Sequence, residues 1–200
     1  MKKFELTTDT KMFLGRKLFR IKALISFGNV RAGDMGGYIE KEENLSQSGD
    51  AWVCGDARVY GGARVSGDAR VYGGARVSGN AWVCGNARVS GNAEVYGNAE
   101  VSGNAEVSGN AWVSGDAWVS GNAEVSGDAD YATASGFGSE YRTTTFFKLK
   151  NSDEIGVRCG CFYGTLKEFK EKVKETHGET KKAKEYLMLA DLMEYKFSEE

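Results

Sequence analysis

From Gly49 onward the chain repeats every six residues: GDAWVC, GDARVY, GGARVS, GDARVY, and so on through GDADYA. Fourteen consecutive units span residues 49 to 132, with glycine first and alanine third in every one. Valine is fifth in the first thirteen, and Tyr131 replaces it in the last. So short a period leaves few folds open, because six residues cannot bury a valine alone and must stack on copies of themselves. Within a unit, A-x-V-x carries the two-residue alternation of a strand with one buried face. The Gly-Asp, Gly-Asn or Gly-Gly pair that follows is turn chemistry. This predicts a solenoid with alanine and valine inside and the fourth and sixth positions facing outward. Sixteen of the 27 glycines lie in these units, and high glycine without proline fits repeated turns rather than collagen-like or flexible linker sequence.

The pairs Val53 to Ala57 and Val59 to Ala63 follow the pattern aliphatic, three residues, small. In this the chain resembles the left-handed parallel β-helix of the hexapeptide-repeat superfamily. The resemblance implies a mainly β fold, a triangular prism with 18 residues per coil, four to five coils and a height of roughly 20 Å.

The flanks read differently. In residues 1 to 48, Phe19, Ile21, Ala23, Ile25 and Phe27 alternate with Arg20, Lys22, Leu24 and Ser26, which predicts a half-buried strand, with a shorter one at Phe4 and Leu6. GDMGGYIE has glycines but lacks the lysine and serine or threonine of a phosphate loop, so it reads as a plain turn. The segment is expected to cap the open end of the solenoid. Residues 133 to 142 read as a linker and 143 to 200 as a small ββαα domain. Its hairpin turns around Asn151–Glu154, a Thr165–Glu168 capping box opens the first helix, and Gly178 ends it. A second helix follows Thr180. The segments Gly36-Gly37-Tyr38-Ile39-Glu40 to Leu45-Ser46, and Cys159-Gly160-Cys161-Phe162 to Thr176-His177-Gly178, resemble hexapeptide-repeat proteins of bacteriophages and prophages that have no assigned activity.

Little in the chain points to catalysis. Acyltransferases of the superfamily use a histidine near the solenoid as general base. The single histidine here, His177, falls at a predicted helix end outside the repeats, where it can interact with free carbonyls. Cys159-Gly160-Cys161 lacks the second ligand pair of a zinc site, and its parity with Ile155 and Val157 places both thiols in a strand's apolar face. Cys54 and Cys84 sit at the outward sixth position. No catalytic residue, metal site or cofactor is expected.

The outward positions carry the functional signal. Fourth-position residues in every third unit form three ladders: Trp52, Arg70, Arg88, Glu106, Glu124; Arg58, Arg76, Glu94, Trp112, Asp130; and Arg64, Trp82, Glu100, Trp118. Residues 49 to 93 carry a net charge of +2, and residues 94 to 132 carry −7. Trp52, Trp82, Trp112 and Trp118, with Tyr60, Tyr72 and Tyr96 and with Arg58, Arg70, Arg76 and Arg88, form the expected binding or interface surface, because Trp, Tyr and Arg dominate interface energetics. Trp82 and Trp118 fall on one face, two coils apart, and are expected to meet another subunit.

A formal charge of −2 gives no bias toward nucleic acid, and no apolar run approaches 18 residues. The N-terminus lacks the apolar core of a secretory signal, so a cytoplasmic location is expected, in the host cell if the chain is phage-encoded. These features predict a non-enzymatic homo-oligomer, a trimer by analogy with the superfamily. It would sequester a host protein or a small nucleotide-like signal and thereby inhibit host defence. A structural or assembly scaffold and an acyltransferase relative stand as alternatives.

Overall fold

The computed structural model describes residues 1–138 and 140–198; Ser139 of the expected linker, and Glu199 and Glu200 of the expected C-terminal domain, lie outside the described residues. An antiparallel hairpin of β1 (Phe4–Phe13) and β2 (Arg16–Ala23) is followed by β3 (Met35–Ile39). Thirteen two-residue strands then recur every six residues, from β4 (Trp52–Val53) to β16 (Glu124–Val125). Each of the first ten pairs in parallel with the strand three further on, so the solenoid has three sheets and 18 residues per coil.

Ala51, Val53 and their repeats as far as Ala123 and Val125 are wholly or almost wholly buried. Valines of one face stack in register, Val53 on Val71 on Val89 on Val107 on Val125. Each buried valine contributes about 1.5–3 kcal/mol. Glycine has a separate cause. Gly67 has φ 66°, and a Cβ there would come within 3.0 Å of the backbone N and O of Gly85 in the next coil. The outward positions need correction. The most exposed corner is the second position, whose asparagines bond coil to coil: Asn86 Nδ2 donates to Asn104 Oδ1 at 3.1 Å, and Asn104 to Asn122 at 3.2 Å. The sixth position is mostly half-buried, including Cys54 and Cys84, and Ser120 is buried.

The ladders are polar along the axis. Along the axis, the fourth- and sixth-position N–H groups donate to carbonyls of the following coil, as Trp52 N to Ala69 O (3.0 Å) and Cys54 N to Val71 O (2.9 Å). The first coil therefore presents unpaired carbonyls and the last presents unpaired N–H groups. Donors cover the first end. Lys3 Nζ donates to Gly49 O and Ala51 O, Asn44 Nδ2 to Gly61 O and Ala63 O, and the backbone of Tyr38, Glu40 and Ser46 to Ala57, Val59 and Val65. Acceptors cover the other end: Asp128 takes Trp112 N, Thr145 takes Trp118 N, and Asp130 takes Ser126 N and Gly127 N.

Parallel pairing begins upstream of the six-residue repeat. Ile39 pairs with Val59 and Leu45 with Val65, and both are buried like the valines they adjoin. GDMGGYIE is accordingly a strand rather than the predicted turn. Its glycines serve close packing: a Cβ on Gly36 would sit 2.4 Å from Ile21 Cγ1, and one on Gly37 2.8 Å from Ala57 O. The strand predicted through Phe27 stops at Ala23, because Phe27 and Val30 bridge each other across a turn.

Beyond the solenoid the sheet has four strands rather than two: β17 (Tyr131–Ala134), β18 (Thr144–Lys148), β19 (Ile155–Cys159) and β20 (Phe162–Thr165), an antiparallel meander. Tyr131 is too large for the valine row. The chain leaves the coil through a 3-10 turn, Asp128–Asp130, and the Tyr131 hydroxyl donates to Trp112 O at 2.6 Å. Helix α1 (Leu166–His177) opens on the expected capping box, with Glu168 N donating to Thr165 Oγ1 and Thr165 N to Glu168 Oε2. Gly178 ends it, and α2 (Lys181–Phe197) starts from a Thr180 cap. Strand β18 joins the two cores: Phe147 packs with the solenoid valines and Phe146 with the helices.

Candidate functional site

The structure divides the expected surface residues into covered and open sets. Trp52 is 3% exposed, with Phe27 edge-on at 5.4 Å, so the N-terminal cap seals it. Tyr60 meets Phe13 of the hairpin tip at 5.7 Å, and the Arg58 guanidinium lies 4.5 Å from the same ring. Trp118 lies beneath Arg158, whose guanidinium is 3.6 Å from the ring centroid. These residues hold the flanks onto the solenoid. Arg76 pairs with Glu94 at 2.8 Å and Arg88 with Glu106 at 3.6 Å, where the basic half of the axis meets the acidic half. Arg70 lies between Trp52 and Arg88 on its ladder.

Trp82, Trp112 and Tyr72 remain open, at 46%, 51% and 38% exposure. The tryptophans share a geometry. Each reaches back to the sixth-position residue of the preceding coil: Trp82 Nε1 donates to Ser66 Oγ at 2.9 Å, Trp118 Nε1 to Ser102 Oγ at 3.1 Å, and Trp112 packs on Tyr96 at 5.5 Å. A fourth-position indole is thus held against its own face rather than projecting freely.

Two troughs flank the open tryptophans. The larger, about 460 Å³, is lined by Arg64, Trp82, Ser46, Ser66, Asn80 and Glu43. Arg64 and Trp82 are ladder neighbours on β6 (Arg64–Val65) and β9 (Trp82–Val83), and among the described residues Arg64 forms no ion pair. The smaller, about 250 Å³, holds Trp112 with Arg76, Glu94 and Asp128. There the Arg76 charge is already matched by Glu94. Arg64, Ser46 and Glu43 were not among the expected site residues; the ladder arithmetic places Arg64 beside Trp82, but residues before the repeat carry no register that would add the other two.

A third cavity, of about 530 Å³, lies in the C-terminal domain and brings together His177, Cys159 and Cys161. His177 ends α1 as expected, with its ring stacked on Tyr186 at 5.9 Å. Cys159 is half-buried and accepts the Thr144 hydroxyl at 3.2 Å, in keeping with a packing role. Cys161 departs from it: the chain reverses at Gly160, so Cys161 is exposed in the turn rather than sharing a strand face. Burial, with the Glu100 charge second, pushes the Cys84 thiol up to about 11, which leaves it protonated. Burial likewise raises Cys54, against the nearby Arg70 charge. Among the described residues no three His, Cys, Asp or Glu side chains converge as metal ligands, and no helix is long and apolar enough to cross a membrane.

The coils are similar to a known repeat. Residues 51–67, 63–79 and 81–97 match the family described as YdcK Beta solenoid repeat, under a quarter of the chain. With the stacked parallel strands, this establishes a β-solenoid segment of hexapeptide-repeat type. Comparison with curated proteins finds no match.

Proposed function

We propose that the chain is a non-enzymatic binding protein of phage or prophage type, which sequesters a small nucleotide-like signal in the trough between Arg64 and Trp82. One observation carries this reading: a fixed, half-exposed indole and a guanidinium with no ion pair among the described residues stand on adjacent coils, about 4.8 Å apart along the axis. A planar base stacks on the indole, a phosphate takes the guanidinium fork, and Ser46, Ser66 and Asn80 offer hydrogen bonds. No bond need form or break, and inhibition of a host defence would follow from removing the signal from the host cytoplasm. The covered ends of the solenoid weigh against the scaffold alternative, since neither end offers a bare edge for another coil. Open Trp82 and Trp112 suit a homo-oligomer, in which a neighbouring subunit would deepen the shallow trough.

Native mass spectrometry of freshly purified protein tests stoichiometry and retained ligand together. Titration calorimetry with linear and cyclic nucleotides then follows. Binding weakens by about tenfold or more in Arg64→Ala and in Trp82→Ala, the loss of one charge-assisted contact or one stack. Equal affinity in both variants and the parent, or no nucleotide binding at all, would sink the proposal.

A further inference from the structure

We infer that the C-terminal domain carries a separate site for a planar aromatic anion, in the cavity between the β19–β20 turn and the second half of α1. Its volume, about 530 Å³, suits a ligand of two or three rings. Its floor is aromatic and fixed. Phe169 is buried, and it meets Phe162 at 5.4 Å and Tyr186 edge-on at 5.6 Å. His177 stacks nearly parallel on Tyr186, which extends the flat wall toward the mouth. Such a surface favours flat rings over aliphatic chains.

The mouth is cationic. Arg142 and Lys172 stand there against the single carboxylate of Glu140 among the described lining residues. Arg142 is folded tightly over the turn: Gly160 has φ 57°, and a Cβ on it would come within 2.8 Å of Arg142 Nη1. The present partners of both cations are exposed carboxylates, Glu140 at 4.0 Å from Arg142 and Glu175 at 2.8 Å from Lys172. Solvated pairs of this kind contribute little and exchange readily for a ligand's own anion. Apolar rings below and two cations above select a molecule with a flat apolar body and one negative head. This site is independent of the Arg64–Trp82 trough, and neither proposal needs the other.

The test uses 8-anilinonaphthalene-1-sulfonate, a planar aromatic anion, with neutral N-phenyl-1-naphthylamine as its uncharged counterpart, on the full chain. One sulfonate probe binds per chain with enhanced fluorescence. Lys172→Glu, on the exposed side of α1, weakens the sulfonate by about tenfold and leaves the neutral probe nearly unchanged, as expected for loss of a charge contact. Thr176→Trp fills the mouth and weakens both probes. Trp82→Ala, in the solenoid trough, alters neither. The outward apolar stripe of α2, Met188 and Leu192, is the competing surface. Sulfonate binding that survives Lys172→Glu and Thr176→Trp, or that is lost in Met188→Ser/Leu192→Ser, overturns the assignment; Lys172→Glu alone decides it if Thr176→Trp does not fold.

Discussion

The Arg158 guanidinium lies 3.6 Å from the centre of the Trp118 indole, and this contact joins the C-terminal sheet to the third face of the solenoid. Two other bonds support the same junction. Trp118 N donates to Thr145 Oγ1 at 2.9 Å, and the indole N–H is held by Ser102. Trp118 therefore serves the chain's own architecture rather than an open surface.

The junction makes a first prediction. Arg158→Ala and Trp118→Ala each destabilise the docking of the C-terminal domain, by about 1–2 kcal/mol for a desolvated cation–π pair. The double variant costs less than the two single changes added together, because they remove one shared contact. Thermal melts of the four species in a double-mutant cycle measure the coupling. Strict additivity would show that the stack contributes nothing.

Packing in the coils makes a second. Val89 is fully buried within a row of valines, so Val89→Asp places an unpaired charge in a dry interior and costs upward of about 4 kcal/mol. Ser90, the next residue, is half-buried at the coil surface, and Ser90→Asp costs about 1 kcal/mol or less. Melting temperatures that rank the two the other way would reverse the assignment of inside and outside.

The N-terminal cap makes a third, through pH. Lys3 is 2% exposed, and burial lowers its ammonium to about 8, against the opposing charges of Asp50 and Asp68. Between that value and the ordinary lysine range, the unfolded chain binds a proton that the folded chain has lost. Stability from this group therefore rises as pH increases from about 8 to about 10.5. The neutral amine keeps N–H groups to donate to Gly49 O and Ala51 O. Melts at pH 7.5 and 10, with Lys3→Met as reference, isolate the effect because other titrating groups are common to both. A parent that gains nothing over Lys3→Met on raising the pH would contradict it.

The far cap responds to acid. Asp130 is raised by burial, but Lys148 and the N–H groups of Ser126 and Gly127 outweigh this and hold its carboxyl below the usual range. Its contribution is present above the ordinary carboxylate pKa and is lost as pH falls through the depressed folded value. Asp130→Asn should therefore flatten the acid limb of the stability profile; an unchanged limb in chemical denaturation from pH 5 to pH 2.5 would argue against this role.

How much of this was legible depends on the register. Thirteen valines at a strict spacing made the coils readable, down to which residues share a face. Ile39 and Leu45 are also six apart and occupy inward positions on two adjacent faces, yet Leu45 to Val53 spans eight residues, so the count breaks and the extra parallel turn is hidden. Outwardness was legible and exposure was not. A residue's face follows from its position in the unit, but Phe13, Phe27 and Arg158, which cover Arg58, Trp52 and Trp118, reach the solenoid through tertiary contacts with no periodicity. The capping box at Thr165 was readable because it is local. The cavity joining Cys161 to His177 was not, because it depends on how the helices close over the sheet.

The last prediction concerns assembly and follows from that sorting. With Trp118 covered, the open tryptophans are Trp82 on the third face and Trp112 on the neighbouring one. Their indoles lie against Ser66 and Tyr96, so each presents a broad surface that another subunit can approach without first reorganising the side chain. Fixed rings lose little conformational freedom on contact, which is where interface aromatics gain over long flexible residues. Burying each would contribute about 2 kcal/mol or more, enough for two together to decide association at micromolar concentration. Trp82→Ser/Trp112→Ser should therefore give a folded species of lower mass by light scattering, whereas Trp118→Ser keeps the parent's mass and loses stability instead. A double variant of unchanged mass would move the interface to the flanks, where Met12 and Leu14 at the hairpin tip and Met188, Leu192 and Tyr195 on α2 are among the exposed apolar groups.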